Sequence, residues 1–194
     1  MKVLIFFDSK NHPPRKPHDG DEFRDRAKDA ENFYREKIIG KITLCDLHIN
    51  SVEYACKLIA EEKPDRILFF SHGTQRTLAG RWATIKSPRY APIQGLIDAV
   101  NMCPADARIG LYACLTGGLP AGKRDFAESL SVGCGGRAVL SHTAGGHTTR
   151  NPNIIIDYKG KVLTRKYFGL TWSQWVELLK NKPFRPFEIL EQVP

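Results

Sequence analysis

Two strand-like segments of this sequence end in side chains able to do covalent chemistry. Leu68-Phe69-Phe70 runs into Ser71-His72-Gly73, and Ile109-Gly110-Leu111-Tyr112 runs into Ala113-Cys114. A thiolate is a nucleophile, and an imidazole beside it draws off its proton or protonates a leaving amine. Taken alone, a cysteine at a strand end is usually a small hydrophobe and a His-Gly pair is usually a turn. Their placement at matched strand ends favours catalysis, with Cys114 as nucleophile and His72 as its acid-base partner. Gly73, Gly117 and Gly118 let the backbone approach a substrate closely, which makes the N–H groups near Gly73 and Cys114 candidates for an oxyanion hole.

The two ends meet over one cleft only if their strands are sheet neighbours, as consecutive strands linked by a crossover usually are. Apolar runs alternate with helix-forming stretches, which predicts five core strands: Val3–Phe7, Ile38–Leu44, Arg66–Phe70, Arg108–Tyr112 and Arg137–Ser141. Ile67-Leu68-Phe69-Phe70 is apolar throughout, as a strand buried on both faces must be. Helices are expected over Asp21–Lys37, Ser51–Glu62 behind an Asn50 or Ser51 cap, Ile93–Met102 and Lys123–Leu130. The fold class is therefore α/β, a mostly parallel central sheet with helices on both faces. Pro13, Pro14 and Pro17 make Ser9–Gly20 a long loop at the carboxyl end of the first strand, the edge where open sheets build sites. Beyond a core of 1–150, Asn153–Asp157 and Lys161–Lys166 flank Tyr158-Lys159-Gly160 as a hairpin, and Trp172–Leu179 forms a helix before Pro183 and Pro186 break the pattern. No repeat or linker divides the chain, so 1–194 reads as a single domain whose C-terminal hairpin and helix occupy 151–194.

The 194 residues carry 29 basic and 21 acidic side chains, a formal net charge of +8. A chain of this length buries enough apolar surface to need no disulfide or metal. Its five cysteines, odd in number and never spaced as CxxC, argue against a disulfide framework and for a reducing, cytosolic compartment. No apolar run has the length of a signal-peptide core or a membrane span. The charge permits nucleic-acid binding by counterion release, but Lys and Arg are scattered rather than gathered with stacking aromatics, which speaks against nucleic acid as the partner. His12 and His18 with Asp19 and Asp21 match no standard ligand spacing, so neither a metal nor a cofactor is expected.

Phe69-Phe70-Ser71-His72-Gly73 with Leu78-Ala79-Gly80, followed by Leu111-Tyr112-Ala113-Cys114, resembles the caspase-like (clan CD) cysteine peptidases and their prokaryotic caspase and metacaspase homologues. In that family a strand ending in His-Gly precedes one ending in Ala-Cys. The resemblance runs from the first strand to Arg150. It implies a caspase-hemoglobinase fold, a His72 and Cys114 dyad, an oxyanion donor at Gly73 and a protein or peptide substrate. It also implies a specificity pocket. In caspases an Arg that closes a Ser-Thr-Pro segment holds an acidic P1 side chain; Thr143 to Arg150 repeats that spacing, and Arg15 lies in the first-strand loop where a second such Arg stands. Two guanidinium forks closing on one carboxylate suit an Asp or Glu.

Three positions depart from the caspase pattern. The Gln two residues before the nucleophile is Tyr112 here, which puts Tyr112 among the substrate-contacting positions; the Trp before the specificity Arg is Thr149, and the Arg-Gly after the cysteine is Leu115-Thr116. Other branches of the family cleave after Arg or Lys and use acidic pocket residues, a part open to Asp8 at the end of the first strand or to Asp157. The resemblance further implies a homodimer through the sheet edge beyond the fifth strand, or an activating partner protein, and by analogy a role in microbial defence or regulated proteolysis. Two other readings stand beside the peptidase: a catalytically silent caspase-like scaffold, and a nucleic-acid-binding α/β domain suggested only by the net charge. His142 and His147 lie near the expected cleft, where polar residues at strand ends commonly satisfy backbone groups. Trp172, Trp175, Leu178 and Leu179 are spaced to form one apolar helix face, and Cys45, Cys56, Cys103 and Cys134 read as buried and structural.

Overall fold

Seven strands join one sheet in the computed structural model, which describes residues 1–9, 19–37, 39–79, 83–85, 92–118, 124–146, 151–180 and 185–194. In chain order the elements are β1 (Lys2–Phe7), α1 (Asp19–Lys37), β2 (Lys41–Asp46), α2 (Val52–Glu62), β3 (Arg66–Phe70), β4 (Gly73–Thr74), β5 (Thr77–Leu78), β6 (Ala83–Thr84), α3 (Ile93–Asn101), β7 (Arg108–Tyr112), α4 (Phe126–Gly133), β8 (Val139–His142), β9 (Ile154–Tyr158), β10 (Lys161–Leu163), α5 (Trp172–Lys180) and α6 (Arg185–Glu191). The large sheet runs β10-β9-β8-β7-β3-β1-β2 and is parallel from β2 to β8, with β9 and β10 antiparallel. β4, β5 and β6 make a small antiparallel sheet of their own. The protein is thus α/β with a mostly parallel central sheet.

Alternation along each strand sorts the core into two faces. Leu4, Phe6, Ile67, Phe69, Ile109 and Leu111 pack with residues of α2, α3 and α4, whereas Val3, Ile5, Leu68, Phe70 and Tyr112 pack with residues of α1, α5 and α6. Stacked rings tie neighbouring strands on each face, Phe6 to Phe69 at 4.9 Å and Phe70 to Tyr112 at 4.7 Å. β1 lies between β2 and β3, so the direction of winding reverses there, and the crevice above the carboxyl ends of β1 and β3 is the switch point of an open sheet.

Local signals set most boundaries. Ser51 caps α2 by accepting the Tyr54 N–H at 3.1 Å, and the helix stops where Lys63 turns left-handed with φ of 47°. Several expected boundaries shift, and α1 takes in Asp19 and Gly20, the last two residues of the expected Ser9–Gly20 loop. β2 starts at Lys41 because the chain at Gly40 lies so close to Met1 that a Cβ would stand 1.8 Å from the Met1 carbonyl oxygen; Ile38 lies outside the described residues. β8 starts at Val139, since Arg137 is an anchor ahead of the strand, donating to the carbonyls of Cys103, Pro104 and Cys134. α4 starts at Phe126 behind the Asp125 cap, and β10 ends at Leu163.

α6 forms where prolines suggested only a break. Pro186 sits in its first turn, where an N–H has no partner within the helix anyway. Glu191 of α6 takes a two-pronged bond from Arg66, Nε to Oε1 at 2.5 Å and Nη2 to Oε2 at 2.6 Å, and a third from the Tyr34 hydroxyl at 2.9 Å. These bonds tie the tail to the amino end of β3. On α5, Trp175 and Leu179 are buried and the Trp175 indole donates to the Pro152 carbonyl at 2.7 Å, but Trp172 is half exposed and does not share that apolar face. Among the described residues no helix is long and apolar enough to cross a membrane.

Candidate active site

β3 and β7 pair in parallel with Phe70 opposite Tyr112, so the chain leaves both strands at the same level of the carboxyl edge. Ser71-His72-Gly73 and Ala113-Cys114 therefore emerge side by side. Their approach leaves no room for a side chain at Gly73: a Cβ there would stand 2.8 Å from Ala113 Cβ and from Thr116 Cγ2, and 3.0 Å from the Cys114 carbonyl oxygen. Gly73 opens the hairpin β4–β5, and from it Gln75 accepts the Phe126 N–H at 2.9 Å, so the His-Gly segment is braced against the start of α4. The His72 ring stands edge-on to Phe23 of α1 with centroids 5.1 Å apart.

After Cys114 the backbone turns sharply, with Leu115 in the left-handed region at φ of 57°. A non-glycine residue there costs roughly 1 kcal/mol or more and persists only where surrounding bonds hold it. Those bonds are present. Leu115 N–H donates to the Ala144 carbonyl at 3.3 Å, Gly117 N–H to His142 at 3.0 Å, and Ala127 N–H to Thr116 at 3.0 Å, while the Thr116 hydroxyl returns to the Ala113 carbonyl at 3.1 Å. Cys114 itself is partly exposed, and its Sγ accepts the Gly146 N–H at 3.3 Å.

The other four thiols stand apart. Burial raises Cys45, pushes Cys56 and Cys103 up to about 11, and pushes Cys134 up to about 12. All five cysteines are free. Raised, desolvated thiols are poor nucleophiles, which sets these four apart from Cys114, the partly exposed cysteine at the carboxyl edge of the sheet.

Asp8 is brought to the same edge, part-buried at the end of β1, with its N–H on the Phe70 carbonyl at 3.0 Å. Tyr112 is not available to a substrate. It is fully buried, stacked on Phe70 and edge-on to Phe187 of α6, because alternation along β7 turns it beneath the helices on that face. Asp157 also fails as a pocket residue, since it pairs with Val139 at the amino end of β8, away from the carboxyl edge. His142 is buried, its ring 6.2 Å from that of Tyr112. Arg15, Arg150, His12, His18, His147 and Thr149 lie outside the described residues. Among the described residues no three His, Cys, Asp or Glu side chains gather as a metal site would need.

Sequence reasoning missed the segment that reaches Cys114. Asn151, buried, donates through Nδ2 to the carbonyls of Gly146 at 2.8 Å and Gly145 at 3.3 Å, and its Oδ1 accepts the Asn153 N–H at 3.0 Å. The Gly145-Gly146 pair was the visible signal of a special turn, and Gly146 indeed has φ of 112°. No family model matches this chain, and no curated protein or solved structure does either.

Proposed function

We propose that this chain is a caspase-like cysteine endopeptidase with a caspase-hemoglobinase fold, acting through Cys114 and His72. The observation that carries the reading is the in-register parallel pairing of β3 with β7, together with the contact distance between Gly73 and the Ala113-Cys114-Thr116 backbone turn. In the reaction the Cys114 thiol passes its proton to His72 as Sγ attacks the scissile carbonyl carbon, and the oxyanion is met by N–H groups near Gly73 and Cys114. The tetrahedral intermediate collapses as His72 delivers a proton to the leaving amine, which gives a thioester. Water, deprotonated by His72, then releases the acid and restores the thiol.

Arg150 and Arg15 are the pocket of this reading for an acidic P1 side chain; Asp8, at the same edge, is the counterpart for a basic one. A cytosolic peptidase regulated by pairing or by a partner protein completes the proposal. Cys114→Ala abolishes peptide cleavage with the fold intact, and turnover surviving in that variant refutes the assignment. A positional peptide library read at P1 decides the pocket: cleavage after Asp or Glu supports the arginines, and cleavage after Arg or Lys transfers the role to Asp8. A folded protein whose Cys114 is no more reactive to iodoacetamide than Cys56 supports the silent scaffold instead.

A further inference from the structure

We infer that Asn151 is the positioning residue of the nucleophile, fixing the Gly145-Gly146 turn so that the Gly146 N–H points at Cys114 Sγ; this rests on the reading of Cys114 as the reacting thiol. Gly145 and Gly146 are both exposed and follow β8, and nothing about a glycine pair by itself selects one conformation. Asn151 supplies the selection. Its Nδ2 grips both glycine carbonyls while its Oδ1 is gripped in turn by the Asn153 N–H at 3.0 Å and the Asn153 side-chain amide at 3.1 Å, so the amide cannot rotate without losing bonds on both sides. With the Gly145 carbonyl held toward Asn151 at 3.3 Å, the N–H on the other side of the same peptide plane, that of Gly146, is directed to the sulfur at 3.3 Å, and the bond to the Gly146 carbonyl fixes the next plane.

The rest of the turn is tied to the same place. Ala144 receives the Leu115 N–H, and the Thr143 N–H donates to the Asn153 carbonyl at 2.8 Å. Residues 143–146 therefore link the strained residue after the nucleophile to the Asn151–Asn153 segment as one hydrogen-bonded unit. An N–H aimed at sulfur favours the charged form over the neutral one, which is what attack on a carbonyl requires. The same contact viewed as a simple structural strap makes the opposite prediction, because releasing a strap exposes the thiol.

That difference in sign is the test. In Asn151→Ala, alkylation of Cys114 by iodoacetamide, resolved by peptide mass spectrometry against Cys56 in the same sample, slows about tenfold, the effect of one bond to a charged group. Asn151→Ser, whose hydroxyl still donates over a shorter reach, recovers part of the rate. Gly146→Ala gives the same slowing on an exposed loop that does not endanger folding, because φ of 112° disfavours a side chain and its Cβ would stand 3.0 Å from Asn151 Nδ2. Alkylation of Cys114 at the parent rate or faster in folded Asn151→Ala or Gly146→Ala overturns the inference. The readout does not depend on peptide turnover: slowed alkylation in a protein that cleaves no peptide sustains the positioning role and removes the peptidase reading alone.

Discussion

Asp157 makes the stability of this protein depend on pH in a direction opposite to that of a paired surface carboxylate. It sits on β9 beneath α4, 6% exposed, and its Oδ2 has no hydrogen-bond partner among the described residues. Burial first, and then the negative Asp125 and Glu128 on and before α4, push its carboxyl from the ordinary 3.8 up to about 7. The Ser131 hydroxyl, on the same helix, reaches the Asp157 main-chain carbonyl at 3.4 Å and so brings the side chain no relief. The folded protein thus holds a proton that the unfolded chain releases. Stability from this group is fully present below about pH 4 and is lost as the pH rises to about 7, at roughly 1.4 kcal/mol per pH unit, then levels off. The whole excursion is about 4 kcal/mol, a large part of the stability of a domain this size. Urea unfolding at steps from pH 4 to 8, on the parent and on Asp157→Asn, isolates it: the two midpoints nearly coincide near pH 4 and diverge through neutrality, with the variant the more stable at pH 8. Parallel curves across that range refute the reasoning. The consequence reaches the candidate site, because the first N–H groups of α4 donate to the carbonyls of Gln75 and Thr116, in the segments that follow His72 and Cys114.

Two further outcomes test particular assignments. Tyr112→Phe removes a buried hydroxyl that has no hydrogen-bond partner among the described residues, so unfolding stability stays within about 1 kcal/mol of the parent or rises, and peptide turnover is unchanged; lost turnover at full stability would return Tyr112 to the substrate pocket. Glu191→Gln keeps the shape of the tail anchor but leaves the nearly buried Arg66 guanidinium without its counter-charge, lowering stability by about 2 kcal/mol in urea unfolding at unchanged slope. An unchanged midpoint shows that the Arg66–Glu191 ion pair adds no net stability to the anchoring of α6.

Much of this protein was legible before any fold was drawn. A run such as Ile67-Leu68-Phe69-Phe70 has no polar face to turn outward, so it must lie in the middle of a covered sheet, and the strands β1, β3 and β7 fall within one residue of where hydrophobicity puts them. The usual adjacency of consecutive crossover-linked strands then makes β3 and β7 neighbours, so the segments that carry His72 and Cys114 leave the sheet at the same edge. What the one-dimensional pattern does not carry is which way a given side chain faces and what a proline means in context. Tyr112 reads as a substrate contact from its place two residues before the cysteine, yet the pleat turns it into the core against Phe70 and Phe187. Pro186 reads as a stop, yet in a first turn it is a start. Asn151 reads as nothing in particular, because its role depends on carbonyls several residues away that only a folded turn brings within hydrogen-bond reach. Composition and periodicity determine the layers and the edge where chemistry gathers; the tertiary structure alone decides which polar groups converge there, since hydrogen bonds between distant residues have no period along the chain.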